Sequence, residues 1–181
     1  MQEDLFGNSV DNRDSFEKEL YEFDKATFDE RLRRLRYFYK YFPEYNNIMF
    51  GSDESYRIFK EVQSCFINAE DISVVILALS FIERRFQELL HIKGFEAESK
   101  DTLNNILKNF KGKSAIPDYF LDKVNELRLK RNPFVHLRNV MDKDNLFSRS
   151  ILKNKNTESI LKKDAKDAIS LMFESLKIKI L

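Results

Sequence analysis

Arg131 and His136 stand five residues apart in the stretch RLKRNPFVHLR, residues 128–138. These two residue types can together cleave a phosphodiester. An imidazole, titrating at about 6.5 in water, can take the proton from a ribose 2′-hydroxyl or give one to the leaving oxygen. A planar guanidinium can grip the phosphate and stabilise the charge that develops on it. Each chain supplies one such histidine, so acid and base together call for a second copy, most simply from a symmetric dimer. The alternative reading of the same letters is a capped helix junction with a hydrogen-bonded histidine.

Geometry constrains that chemistry. In an unbroken helix, five residues turn His136 about 140° away from Arg131, onto a nearly opposite face. Asn132 and Pro133 lie between them. A residue before proline is pushed out of the helical region, and Asn-Pro suits the cap and first position of a new helix. A break at Asn132 is therefore predicted, returning His136 towards Arg131 and placing fresh helix amides nearby, which attract anions.

The elements that must position this junction are helical. Only 4 glycines and 3 prolines occur in 181 residues, too few for hairpin-rich β folds. At 43% hydrophobic and 34% charged the composition is that of a globular chain, and its length suits one domain. A first helix is predicted over 14–24, and Thr27 with Glu30 reads as a capping box starting a second helix to about Phe42. In that helix RLRRLRYFYKYF interleaves arginines with aromatics. The favoured reading buries Leu32, Leu35, Tyr39 and Phe42 with the arginines as a solvated back; the other is a platform for single-stranded nucleic acid. Further helices are predicted at 53–67, 71–94, 101–110, from about 116 into the junction, and 158–179, the last capped by Asn156 or Thr157.

Two charges interrupt apolar stripes. In the central helix the stripe Ile72, Ile76, Leu79 meets Glu83 before Phe86 and Leu90. In the helix leading to the junction, Phe120, Val124 and Leu127 are followed by Arg131. A carboxylate taken from water needs a cation or donors to compensate. Glu83 is therefore predicted to lie beside Arg131, with Arg128 as the competing partner. His91, in the last turn of the central helix, reads as a favourable group at the carbonyl end.

Other features narrow the function. The net charge of +1 gives no global attraction to nucleic acid, so RNA binding would need a local patch. The connection after the junction offers one through Arg138, Arg149, Lys153 and Lys155, as an RNA-contacting flap or a solvated loop. A lone cysteine, Cys65, rules out an intrachain disulfide and a multi-cysteine zinc site, and no metal or other cofactor is expected. The first residues are acidic and polar, unlike a signal peptide, and the apolar run at 72–82 is too short to span a bilayer. The expectation is a cytoplasmic protein that does not enter membranes.

The segment from about 70 to 175 resembles the HEPN superfamily, helical bundles marked by an R-x4-6-H motif often written with Asn directly after the Arg. Arg131, Asn132 and His136 fit that motif, and the lead-in NELRLKRN resembles its usual context. The resemblance implies an all-α, HEPN-like antiparallel bundle over 67–181; residues 13–66, which the family does not match, read as an N-terminal helical extension, and 1–12 as a flexible stretch. It implies Arg131 and His136 as the catalytic pair, Asn132 as a supporting polar residue, and Glu83 as the group that orients the arginine. It further implies a metal-independent endoribonuclease with RNA as substrate, a composite site in a homodimer, a toxin or phage-defence role, and a cognate antitoxin or regulatory protein. The sequence after the histidine, LRNV, lacks the tyrosine of HEPN toxins paired with nucleotidyltransferase antitoxins. The second reading is a non-catalytic module of the same fold that binds RNA, a nucleotide or a partner protein.

Overall fold

A computed structural model describes residues 13–178 except 43–47, 49, 113–115 and 140. The expected flexible stretch at 1–12 and the expected chain break at Pro43 fall outside the described residues. Seven α-helices are described: α1 Ser15–Tyr39, α2 Asp53–Ile67, α3 Asp71–Ile92, α4 Leu103–Phe110, α5 Asp118–Val135, α6 Leu146–Lys153 and α7 Thr157–Lys177. A 3₁₀ turn at Glu98–Lys100 leads into α4, and no strand occurs among the described residues. None of the helices is long and apolar enough to cross a membrane.

The core is organised around α3, which packs against α7, α2 and α5. Val74, Val75, Ala78, Leu79, Phe81, Ile82, Phe86 and Leu90 are all buried along it, so nearly every side of its first half meets protein. Phe38 of α1, Phe59 of α2 and Phe173 of α7 form a ring cluster with centroids 5.2–5.7 Å apart. That cluster spans the residue-66 boundary, so the N-terminal helices share the core of the later ones rather than hanging from it. Helices α5 and α7 run antiparallel: Tyr119 at the start of α5 donates to Glu174 late in α7, and Lys130 meets Asp164 early in α7.

Local sequence explains several boundaries. Helix α3 ends in a Schellman motif, with Phe95 N–H on the Leu90 carbonyl at 3.0 Å and Gly94 in the left-handed region at φ 83°. Helix α2 ends the same way, but Ala69 occupies the left-handed position at φ 64°. At its other end α2 is latched to α3: the Ser52 and Ser55 hydroxyls both donate to Glu88 Oε1 at 2.6 Å. Gly51 permits this close approach, because a Cβ there would lie 2.3 Å from Glu88 Oε2. Asn156 caps α7 through the Ser159 N–H at 2.7 Å, one of the two caps predicted.

Two predicted breaks do not occur. The expected helices 14–24 and 27–42 are one helix, α1. Thr27 does not cap; its hydroxyl donates to the Phe23 carbonyl at 2.8 Å, a bond available to a threonine inside a helix. The capping box stands instead at the true start, where Asp14 accepts from Glu17 N–H and Glu17 accepts from Asp14 N–H. The buried register of α1 also differs from the predicted stripe. Arg34 and Phe38 are its buried residues, while Tyr39 is exposed. Arg34 tolerates burial because Glu30 Oε1, the Phe66 carbonyl and both Asp71 carboxylate oxygens receive its guanidinium.

The second missing break is at Asn132. Helix α5 continues through Pro133 to Val135. Proline removes one N–H and so orphans the Leu129 carbonyl, a smaller loss near a helix end than in its middle. His136 N–H closes the last turn on the Asn132 carbonyl at 2.9 Å.

Candidate functional site

The last turns of α5 carry Arg128 and Arg131, and Arg138 follows just beyond the helix. Arg131 continues the line of Phe120, Val124 and Leu127, each at most 1% exposed, as the sequence stripe predicts. It is half-buried, and its Nε is buried with no hydrogen-bond partner. Arg128 sits one turn earlier, its Nε and Nη2 both donating to Asn125 Oδ1 at 3.1 and 2.9 Å. Burial, then the positive charges of Arg131 and Arg138, push the Arg128 guanidinium below its ordinary value. Arg128 thus stands within electrostatic reach of each of the other two. No carboxylate forms an ion pair within 4.0 Å of any of them among the described residues.

His136 is the C-cap of α5. Its backbone is extended, at φ −137° and ψ 134°, so it leaves the helical path one turn and a half beyond Arg131. It is exposed, and Leu137, Arg138 and Asn139 follow it into solvent. Because α5 does not break, the junction presents helix carbonyls rather than fresh amides. The predicted anion attraction from a helix N-terminus is therefore absent, and the positive charge at the junction is that of the guanidinium groups. Asn132 is half-buried within the last turn, beside that chemistry.

Glu83 has a different partner from the one predicted. Its Oε1 accepts the Leu103 backbone N–H at 2.6 Å, satisfying one of the open donors at the start of α4. It forms no ion pair with Arg131 or Arg128, whose positions on α5 leave Glu83 to cap a neighbouring helix instead. A backbone donor compensates a half-buried carboxylate as well as a cation would, and one sequence cannot distinguish the two. His91 is exposed in the last turn of α3.

The candidate RNA contacts divide. Arg138 and Lys153 are exposed. Arg149 is not: it is 5% exposed, and its Nη2 forms a close ion pair with Asp164 of α7. Lys130 reaches the other Asp164 oxygen at 3.4 Å, so one buried carboxylate ties α5 and α6 to α7. Arg149 fastens the segment 137–156 down rather than offering a cation to a ligand. This three-residue knot was not anticipated; the only trace of it in the sequence is Asp164 beside Ala165 in an otherwise apolar stripe.

Lys130 also borders a groove of about 450 Å³ between α5 and α7, lined further by Lys123, Lys153 and Lys163 and by Glu126 and Asp167. A smaller hollow of about 220 Å³ between α4 and α5 is lined by Arg128, Lys108 and Lys111. Cationic side chains therefore flank α5 on both sides as it runs towards His136. Among the described residues no group of three or more His, Cys, Asp or Glu is placed to hold a metal ion. Cys65 is buried, and burial followed by the neighbouring Glu70 pushes its thiol up to about 11, the environment of an unreactive cysteine. In comparisons with known proteins, no family model, curated protein or solved structure matches this chain.

Proposed function

We propose that the chain is a metal-independent endoribonuclease of the HEPN type, acting in a toxin or phage-defence role at a composite site formed by two copies. The observation that carries this reading is the arginine group formed by Arg128 and Arg131 near the end of α5 and Arg138 just beyond it, none of them in an ion pair with a carboxylate among the described residues, and Arg131 with a buried Nε that has no hydrogen-bond partner. A cluster of that kind is costly for a helix end alone, since like charges repel and an unpaired buried donor loses its hydration. A phosphate would satisfy both.

The reaction conserves its atoms without an added reagent. The 2′-oxygen attacks phosphorus, the bond to the 5′-oxygen breaks, and the products are a 2′,3′-cyclic phosphate and a free 5′-hydroxyl. His136 of one copy takes the 2′-proton and His136 of the other protonates the leaving oxygen. Arg131 holds the non-bridging oxygens as charge grows on them.

The test is cleavage of end-labelled RNA by the purified chain in EDTA, with Arg131→Ala and His136→Ala beside the unaltered protein. Each substitution should slow cleavage by roughly 10²- to 10⁴-fold. A 2′-deoxy substitution at the cleaved nucleotide should abolish it. Equal rates in all three proteins would remove both residues from the chemistry. RNA binding by the unaltered chain without cleavage would favour the non-catalytic module of the same fold.

A further inference from the structure

The N-terminal half of α1 leaves the bundle. Residues 15 to 26 are exposed without exception, about 18 Å of helix that no other described helix covers. Phe16, Leu20 and Phe23 lie on one face of this arm, and Phe16 is 80% exposed. The same face, followed by helical spacing through Thr27, carries Arg34 and Phe38, the two residues that α1 buries in the core. The arm is thus a direct continuation of a packing face past the edge of its own bundle. It is also acidic: between Asp14 and Glu30 there are seven carboxylates against two lysines.

The segment after His136 has the opposite character. Between His136 and Lys155 there are five cations against two carboxylates. One of those carboxylates, Asp142, is occupied in its own turn, accepting the Asp144 N–H at 3.0 Å. Leu137 is fully exposed, and Met141, Phe147, Ile151 and Leu152 stand well out of the surface. The two features belong to one end of the molecule. Glu30, at the root of the arm, pairs with Lys162 of α7, and Arg149 in the basic segment pairs with Asp164 two residues on.

We infer that a second copy of this chain covers both surfaces, the acidic apolar arm of each protomer lying across the basic apolar 137–155 segment of the other. Charge and apolarity are complementary between the two, and a twofold axis makes the contact twice while leaving neither surface open. A reciprocal contact of this kind buries on the order of 1,000 Å² or more, enough for a specific interface. The inference names the surface by which two copies meet, and rests on the dimeric reading above only in sharing its stoichiometry.

Charge reversal in the full-length chain tests it. Glu19→Lys, Glu22→Lys and Asp24→Lys together reverse the sign of the arm, and Lys143→Glu with Lys155→Glu reverses the other surface. All five positions are exposed, so a thermal melt should show the fold intact. Sedimentation should give a dimer for the unaltered chain and at least about tenfold weaker association for each reversed chain alone. An equimolar mixture of the two reversed chains should regain dimer mass, because each arm then meets a surface of opposite sign. A monomeric unaltered chain, dimers that survive both reversals, or a mixture that stays monomeric would each overturn the inference. Arg131→Ala and His136→Ala are read on RNA cleavage and the reversals on dimer mass, so failure of the interface and failure of the cleavage reading give different results.

Discussion

Arg34→Ala should be among the most destabilising single changes available in this chain. The guanidinium is 4% exposed and joins three elements. Its Nη1 and Nη2 grip Asp71 at 2.5 and 3.1 Å, Nη1 also reaches the Phe66 carbonyl at 3.3 Å, and Nε meets Glu30 at 3.0 Å. Removing it strands the Asp71 carboxylate, only 10% exposed, and a carbonyl at the end of α2. Breaking a buried pair from one side costs about 3–5 kcal/mol. Asp71 opens α3, where the helix dipole favours a negative charge by about 1 kcal/mol, so the lower part of that range is expected, about 3 kcal/mol. Guanidinium unfolding of the purified protein reads this directly as a shifted midpoint. Asp71→Ala and the double variant complete a cycle, and the two single losses should overlap by about 2 kcal/mol or more. A loss below about 1 kcal/mol for Arg34→Ala, or additive single losses, would refute the assignment of this arginine as the joint between α1, α2 and α3.

Glu30 gives a pH signature at the same joint. Its hydrogen bond with Lys162, opposed by burial and aided by Arg33 and Arg34, lowers its carboxyl from 4.5 to about 2. A depressed carboxylate contributes stability above pH 4.5 that is lost as pH falls towards 2. Because the side chain keeps a quarter of its surface in water, about 1–2 kcal/mol is expected. Glu30→Gln should lose that amount at pH 7, with the gap to the unaltered chain closing below pH 4.5 in urea melts. Ala69→Gly should raise the denaturation midpoint by about 0.5–1 kcal/mol, since it relieves a left-handed alanine in the turn between α2 and α3; no gain would mean the turn strains elsewhere.

Much of the helical plan is legible in the sequence because it depends on local rules. The spans of α2, α3 and α7 follow from apolar periodicity, with a stop at Gly94 for α3 and a cap at Asn156 for α7. Arg131 is found by the same logic, as a charge continuing an apolar line. The errors cluster where a local signal had a rival. Thr27 and Pro133 both read as boundaries, yet a threonine hydroxyl can bond back to its own helix, and a proline near a helix end forfeits a single bond.

The residues alone thus specify an α-helical chain with a central apolar helix and an arginine and histidine at the end of another. The packing of helix on helix selects which charges hold it together. Arg34, Arg149 and Glu83 lie in sequence contexts much like those of Arg128 and Arg131, and their partners Asp71, Asp164 and the Leu103 amide lie 37, 15 and 20 residues away. Periodicity tells which face a charge occupies, but pairing depends on what another helix brings to that face. The arginines around the end of α5 that meet no carboxylate among the described residues, and the apolar arm that outruns its bundle, emerge only once the long-range pairings are placed.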